Sequence, residues 1–355
     1  MSTKPIIGIS QGDPNGVGME VILKSLDSPL LFDYCIPVLY ANPKTFSFCK
    51  KTFNLEKLSY TLIRKISEAK ENQINLIATS NEPFEVQFGV ASENGGKDAI
   101  DAVTRMLEDA KNGKLDGMVT APLDKSTVKI EGGFTGHTSY ITKELGVKES
   151  LMLLFNDDIR VGLITEHLPL NEVSKSIQTE KIVSKLIIAN ESLKKDFGIV
   201  KPKIAVLGLN PHNGENGTIG LEEKDIIIPA VEEAKTKNIF CFGSYSSDGF
   251  FGKKLYRSFD LVMAMYHDQG LIPFKSIAFE DGVNYTAGLP VPRTSPDHGT
   301  AYDIAGKNIA SPLSFVNAVF ACIDIHNQRH NHAKLKENPL GYSDFRRERF
   351  RLEQA

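Results

Sequence analysis

Residues 260–306 read DLVMAMYHDQGLIPFKSIAFEDGVNYTAGLPVPRTSPDHGTAYDIAG. Leu261 to Met265 is an apolar run with the length and composition of a buried strand. It stops on Tyr266, His267, Asp268, Gln269 and Gly270. In an open α/β sheet, residues just past the carboxyl end of a strand line the ligand crevice. A histidine and an aspartate placed there are well sited for chemistry. Lys275, Asn284, Arg293, Asp297 and His298 follow within about one supersecondary unit.

The pattern repeats outward from this stretch. Ile6–Ser10, Val38–Ala41, Ile74–Ala78, Asp116–Ala121 and Ile204–Leu207 read as further strands. Ile100, Val103, Leu107 and Ala110 recur at helical spacing and predict a one-faced helix ending near Gly113. Helices are also expected over Gly18–Leu26, Thr179–Lys195, Glu222–Lys237 and from Ser311 to about His330, followed by a solvated tail from Asn331. Leu151–Phe155 and Ile159–Ile164, separated by Asn156-Asp157-Asp158, predict a hairpin. Such alternation predicts α/β layers on a largely parallel sheet. The length of 355 residues suits two domains, and no linker marks a boundary between them.

Composition narrows the class. Hydrophobic residues make up 41% and charged residues 24%, as in an ordinary soluble globular protein. Net charge is −3 and the basic residues are scattered, which argues against nucleic acid or an anionic membrane as partner. No apolar run approaches the length of a spanning helix or a signal peptide. Cys35, Cys49, Cys241 and Cys322 lack metal or disulfide spacing and read as buried reduced thiols, so a cytoplasmic location is expected.

Three histidines share one setting. IRVGLITEHLPL, KIAVLGLNPHNGENG and DLVMAMYHDQG place His167, His212 and His267 just after apolar strands. If those strands are neighbours, three imidazoles with open positions suit a catalytic divalent metal. The alternative is three separate loop histidines capping backbone groups. In GGFTGHTSYITKEL, Thr138 is expected as an N-cap, beside His137, where free N–H groups can hold an anion. Lys275 and Arg293 can clamp phosphate or carboxylate, or be surface charges. Asn284, in the strand VNYT, points outward or toward substrate. GDPNGVG at 12–18 follows a strand and opens a helix, the setting of a phosphate cradle, but lacks the last glycine of the dinucleotide fingerprint.

GDPNGVG-E, VTAPLDK, GHT, HLPL, GLNPHNGE, MYHDQG, GVN and GLP-RTS-DHGTA together resemble the 4-hydroxythreonine-4-phosphate dehydrogenase family. The likeness runs from residue 8 to about 312, and DHGTAYDIAGKNIASP is similar to the cofactor loop of isocitrate and isopropylmalate dehydrogenases. It implies their two-domain α/β/α fold, with the active site in the interdomain cleft. Residues 1–125 plus 290–355 then form one domain, and 126–289 the other. The resemblance implies His167, His212 and His267 as ligands of one divalent ion (Zn, Mg or Co). It implies His137, Thr138, Lys275, Asn284 and Arg293 as substrate-binding residues. His298, Gly299, Thr300, Ala301, Asp303 and Asn308 would form the loop for NAD or NADP. A homodimer with its active site at the subunit interface is implied too.

The implied reaction is oxidation of 4-(phosphooxy)-L-threonine and decarboxylation to 3-amino-2-oxopropyl phosphate, in pyridoxine 5'-phosphate biosynthesis. Asp268 or Lys275 is the candidate for proton transfer; either can instead orient a ligand histidine. Met19, Asn216 and Leu221 depart from the family pattern, which leaves open a sister dehydrogenase of D-threonate or D-erythronate 4-phosphate. A three-histidine zinc aldolase or lyase is the remaining alternative.

Overall fold

The structure, a computed structural model, describes residues 4–337 apart from 81 and 83. Its centre is a sheet of twelve strands: β1 (Ile6–Ser10), β2 (Ile36–Ala41), β3 (Tyr60–Ile63), β4 (Ile74–Ala78), β5 (Gly117–Thr120), β6 (Leu151–Phe155), β7 (Arg160–Leu163), β8 (Lys203–Leu207), β9 (Phe240–Tyr245), β10 (Leu261–Ala264), β11 (Val283–Ala287) and β12 (Arg293–Pro296). Their spatial order is β3-β4-β2-β1-β5-β12-β11-β6-β7-β10-β8-β9. Strands such as β5 and β10 are buried at every position, because helices cover both faces of the sheet.

The sheet contains two parallel blocks. One holds β3, β4, β2, β1, β5 and β12; the other holds β7, β10, β8 and β9. Between them β11 pairs antiparallel with β12 and β6, and β6 pairs antiparallel with β7. Three reversals make the second block run opposite to the first, a refinement of the parallel sheet expected from alternation. The hairpin expected around 156–158 is the β6–β7 pair.

Four apolar clusters fill the interior, two for each block. In the first block, one surrounds Ile9, Ile22 and Phe315, and the other Tyr40, Val103 and Met118. In the second, Leu186, Val206 and Met263 anchor one face, and Leu163, Phe250 and Phe274 the other. That is a three-layer α/β/α arrangement. The helix Glu93–Lys111 starts where Ser92 accepts the Gly95 N–H at 3.1 Å, a side-chain N-cap.

Some boundaries differ from the sequence reading. The expected helix over 222–237 opens with a wider turn at Glu223–Ile227 before Ile228–Thr236. The late helix runs Leu313–Glu337, past the point where a solvated tail was expected; the rest of that tail lies outside the described residues. All four cysteines are buried and unpaired, and burial pushes the Cys35, Cys49 and Cys322 thiols up to about 12. Among the described residues, no helix is long and apolar enough to cross a membrane.

Candidate active site

Strands β7, β10 and β8 are consecutive parallel neighbours, so the residues that follow them emerge side by side. Backbone bonds extend the first pairing beyond the strands: Ile164 N–H donates to the Ala264 carbonyl at 2.9 Å, and Thr165 N–H to that of Met265 at 3.1 Å. The Thr165 hydroxyl donates to the same Met265 carbonyl at 2.7 Å. This lashing brings the rings of His167 and His267 to a centroid separation of 5.5 Å. Burial, helped by the Lys125 and His267 charges, lowers the His167 pKa to about 4, so its imidazole is neutral at neutral pH. Asp268 Oδ1 stands 2.7 Å from His267 Nδ1, which leaves Nε2 as the free ring nitrogen.

His212 is presented differently. His212, Asn213, Gly214, Glu215 and Asn216 all lie at positive φ, between 43° and 72°. Such a run is costly for side-chain-bearing residues and persists only where its surroundings hold it. Glu223 fixes the entry to it: its Oε1 accepts the N–H groups of Leu209 and Asn210, both at 2.7 Å, and its Oε2 accepts Asn210 Nδ2 at 2.9 Å. Gln269 ties this loop to the histidine-bearing ends. Its Nε2 donates to the Gly208 carbonyl at 2.6 Å and the Ser247 hydroxyl at 2.7 Å, and its Oε1 accepts the Met265 N–H.

The three histidines follow neighbouring parallel strands, and neutral imidazole is a metal donor. Two of the three rings are adjacent. Among the described residues, however, no three His, Cys, Asp or Glu side chains are drawn together as a metal-ligand cluster, so His212 stands apart from the pair.

A small cavity of about 180 Å³ adjoins His167. Alternation along the strands puts Thr120, Met152, Asn284, Thr286, Arg293 and Ser295 on one face of the central ladder. All but Thr286 line the cavity, with Lys125, His137, Thr138 and His298. Arg293 is 2% exposed. Its Nε and Nη2 donate to Thr120 Oγ1 at 3.2 and 2.6 Å, and its Nη1 to Thr286 Oγ1 at 3.1 Å. Burial lowers its pKa only to about 10, so it carries its charge at neutral pH. The His137 pKa is driven well below the ordinary value by burial and then by the Arg293 and Lys125 charges.

Among the described residues, three buried polar atoms at this cavity have no protein partner: His137 Nε2, Asn284 Oδ1 and His298 Nε2. Buried polar atoms are normally hydrogen-bonded, so three orphans around one cavity point to a polar ligand. Thr138 is not the N-cap: the helix is His137–Glu144, capped by Gly136 with no side-chain bond. The free N–H groups at this helix start are therefore those of its own first turn.

Lys275 lies on a neighbouring cavity of about 600 Å³, with Asp297, Val17, Ala301 and Ile304; His298 and Gly299 line both cavities. Its Nζ donates to the Asp297 carbonyl at 3.3 Å and stands 3.7 Å from Asp297 Oδ2. The loop 298–308 is braced by the N-terminal turn. Val17 N–H donates to the Thr300 carbonyl at 2.9 Å, and Tyr302 Oη donates to Asp13 Oδ2 at 2.6 Å. A Cβ on Gly16 would stand 2.7 Å from the Thr300 oxygen. GDPNGVG is thus filled by the chain and is no phosphate cradle. Asp303 is exposed, and the Asn308 carbonyl receives Lys24 Nζ at 3.2 Å. The sequence reading missed Thr165, Gln269 and Glu223; the last is a charged residue only 3% exposed.

Comparison with known proteins identifies the family and the fold. The family model described as pyridoxal phosphate biosynthetic protein PdxA matches residues 33–322. The chain is 46% identical over 336 residues to the 4-hydroxythreonine-4-phosphate dehydrogenase of Bacteroides thetaiotaomicron, covering 94% of this chain and 92% of that protein. It superposes on the crystal structure of the 4-hydroxythreonine-4-phosphate dehydrogenase of Klebsiella pneumoniae with a TM-score of 0.80 at 32% identity, covering 92% and 99% of the two chains. Isocitrate dehydrogenase from Methylococcus capsulatus shares the fold, with a TM-score of 0.51 at 12% identity and 94% and 89% coverage.

Proposed function

The chain belongs to the pyridoxal phosphate biosynthetic protein PdxA family, and from that premise we propose that it oxidises 4-(phosphooxy)-L-threonine at its secondary alcohol. The product, 2-amino-3-oxo-4-(phosphooxy)butanoate, loses CO₂ to give 3-amino-2-oxopropyl phosphate. The observation that carries this reading is the trio of orphaned buried atoms around the cavity that also holds Arg293.

The residues divide the work. Arg293, His137, Thr138 and Asn284 bind and orient the anionic substrate, and burial strengthens each of these contacts. Neutral His137 offers Nε2 to a substrate polar atom. His167, His212 and His267 would hold one divalent ion (Zn, Mg or Co). Held by these imidazoles, the ion would supply Lewis acidity toward the substrate's hydroxyl and carbonyl oxygen. Asp268 fixes the His267 ring through Nδ1, so it acts here as an orienting carboxylate. Lys275, held by Asp297, is the candidate to move a proton to or from the substrate.

The loop from His298 through Gly299, Thr300, Ala301 and Asp303 to Asn308 would hold NAD or NADP, which accepts the hydride. The part-apolar cavity beside His298, with Val17, Val21 and Ile304 in its wall, suits a ring system. We further propose a homodimer with the active site at the subunit interface. Ile272 and Phe279, on and just after the helix that carries His267 and Lys275, are 63% and 77% exposed and suit burial against a second copy. In the same reading, residues 1–125 with 290–355 and residues 126–289 form the two domains, of which 1–3, 81, 83 and 338–355 lie outside the described residues.

Cofactor reduction with 4-(phosphooxy)-L-threonine, run beside D-threonate and D-erythronate 4-phosphates, tests the proposal. The highest kcat/KM is expected for the amino acid. Preference for either sugar acid would move the protein to a sister activity, and absent cofactor reduction would remove the dehydrogenase reading.

A further inference from the structure

Lys125 ends the stretch VTAPLDK, in the turn after β5. It lines the same cavity as His137, Thr138, Asn284 and Arg293. Its aliphatic stem lies over Gly136: a Cβ there would stand 3.0 Å from Lys125 Cε and 3.4 Å from Nζ. Gly136, at φ +133°, is the residue that caps the helix His137–Glu144. The ammonium therefore stands beside the capping residue of that helix, whose first-turn N–H groups lack intrahelical acceptors.

The charge balance there is lopsided. Lys275 has Asp297 within ion-pair distance. Among the described residues, Lys125 has no carboxylate that close. Glu166, the acid whose charge bears on Lys125, stands 3.8 Å from the ammonium of Lys185. Arg293 already spends a donor from each of its three nitrogens on threonine hydroxyls. A guanidinium with few free donors, an uncompensated ammonium and a helix N-terminus surround a cavity with an orphaned, buried imidazole nitrogen. This is a surplus of positive charge and donors suited to a dianion with three acceptor oxygens.

We propose that Lys125 binds the phosphate group of the substrate, together with the first-turn N–H groups of the helix His137–Glu144. The proposal rests on the cavity being the substrate site described above. It makes Lys125 a determinant of specificity for phosphorylated over unphosphorylated hydroxy acids.

The test is Lys125→Met, which keeps the stem packed on Gly136 and removes only the charge. Steady-state kinetics on 4-(phosphooxy)-L-threonine and on 4-hydroxy-L-threonine give the split. The variant should raise KM for the phosphorylated substrate by roughly ten- to a hundredfold, the span of one hydrogen bond between charged groups. The unphosphorylated substrate should be turned over as by the wild type, and Lys125→Arg should recover most of the loss. Unchanged KM for the phosphorylated substrate, or equal losses on both substrates, would overturn the assignment.

Inorganic phosphate provides an independent arm. Its apparent Kd, from the dependence of the melting temperature on phosphate concentration, should be weaker in Lys125→Met by a similar factor. If the wild type oxidises no phosphorylated hydroxy acid, the functional reading fails while this titration still decides on Lys125. Equal phosphate affinity in the two proteins, or no binding by either, would overturn its role.

Discussion

Two glycine-rich turns, GDPNGVG at 12–18 after β1 and PHNGENG at 211–217 after β8, look alike in sequence and do opposite things. The first is buried throughout, and Gly12 is its one residue at positive φ. Its groups are used up by the loop 298–308, through Val17 to Thr300 and Asp13 to Tyr302. The second holds a run of positive φ and leaves His212 exposed, with Asn213 Oδ1 buried and, among the described residues, unpartnered. One turn is a brace and the other a display. Glycine content after a strand does not separate them; the fate of the polar atoms does.

The contrast breaks most readily at Glu223, which holds the display turn. Glu223→Ala would strand the N–H groups of Leu209 and Asn210. We expect a loss of about 3 kcal/mol in a denaturant titration and at least a tenfold drop in divalent-metal affinity. Wild-type metal binding would show that the left-handed run holds itself.

In the brace, Gly16→Ala drives a Cβ against the Thr300 carbonyl, for which about 2 kcal/mol of destabilisation is expected. A neutral substitution would reopen the phosphate-cradle reading.

Behind the same turn, Asp98 is buried and donates nothing; it accepts Gln11 Nε2 at 2.6 Å, and burial raises its pKa to about 6. Because its folded pKa lies above the unfolded value, its ionisation opposes folding. That cost is absent below about pH 4 and develops as the pH rises through about 6, on the order of 3 kcal/mol. The stability of Asp98→Asn relative to wild type should therefore rise across this window in pH-dependent urea melts. A flat difference would mean that water reaches the carboxylate.

The smallest effect sharpens the comparison. Tyr302→Phe removes one hydrogen bond between brace and loop, for about 1 kcal/mol of stability. It should raise KM for the dinucleotide several-fold while leaving KM for the hydroxy acid unchanged. A shift in the hydroxy-acid KM instead would place Tyr302 on the substrate side.

Much of the fold was legible because burial writes itself into local pattern. The apolar runs at Leu261–Met265 and Ile204–Leu207 identify strands buried on both faces, and three histidines follow such runs. That β7, β10 and β8 are neighbours was conditional in the sequence and is now explicit in the pairing. The reversal of direction through β11 and β6 was not legible, since it depends on which distant strand each one meets. The partner of GDPNGVG lies some 280 residues away in the chain, beyond any local signal. Gln269 and Glu223 act on backbone groups of other segments, so nothing near them in sequence betrays their work. The start of the helix at His137 was misplaced by two residues because Gly136 stands at the cap, with no side-chain bond, where the Thr138 side chain was expected.

Cobalt(II) binding, measured as stoichiometry and affinity in the wild type and in His212→Ala, tests the display turn directly. His167 and His267 already adjoin in the free chain, so the question is whether His212 joins them. One ion per chain in the wild type, with affinity reduced at least tenfold in a folded His212→Ala protein, is the expected result. Equal binding by the two proteins would contradict a site built from the ends of three neighbouring strands.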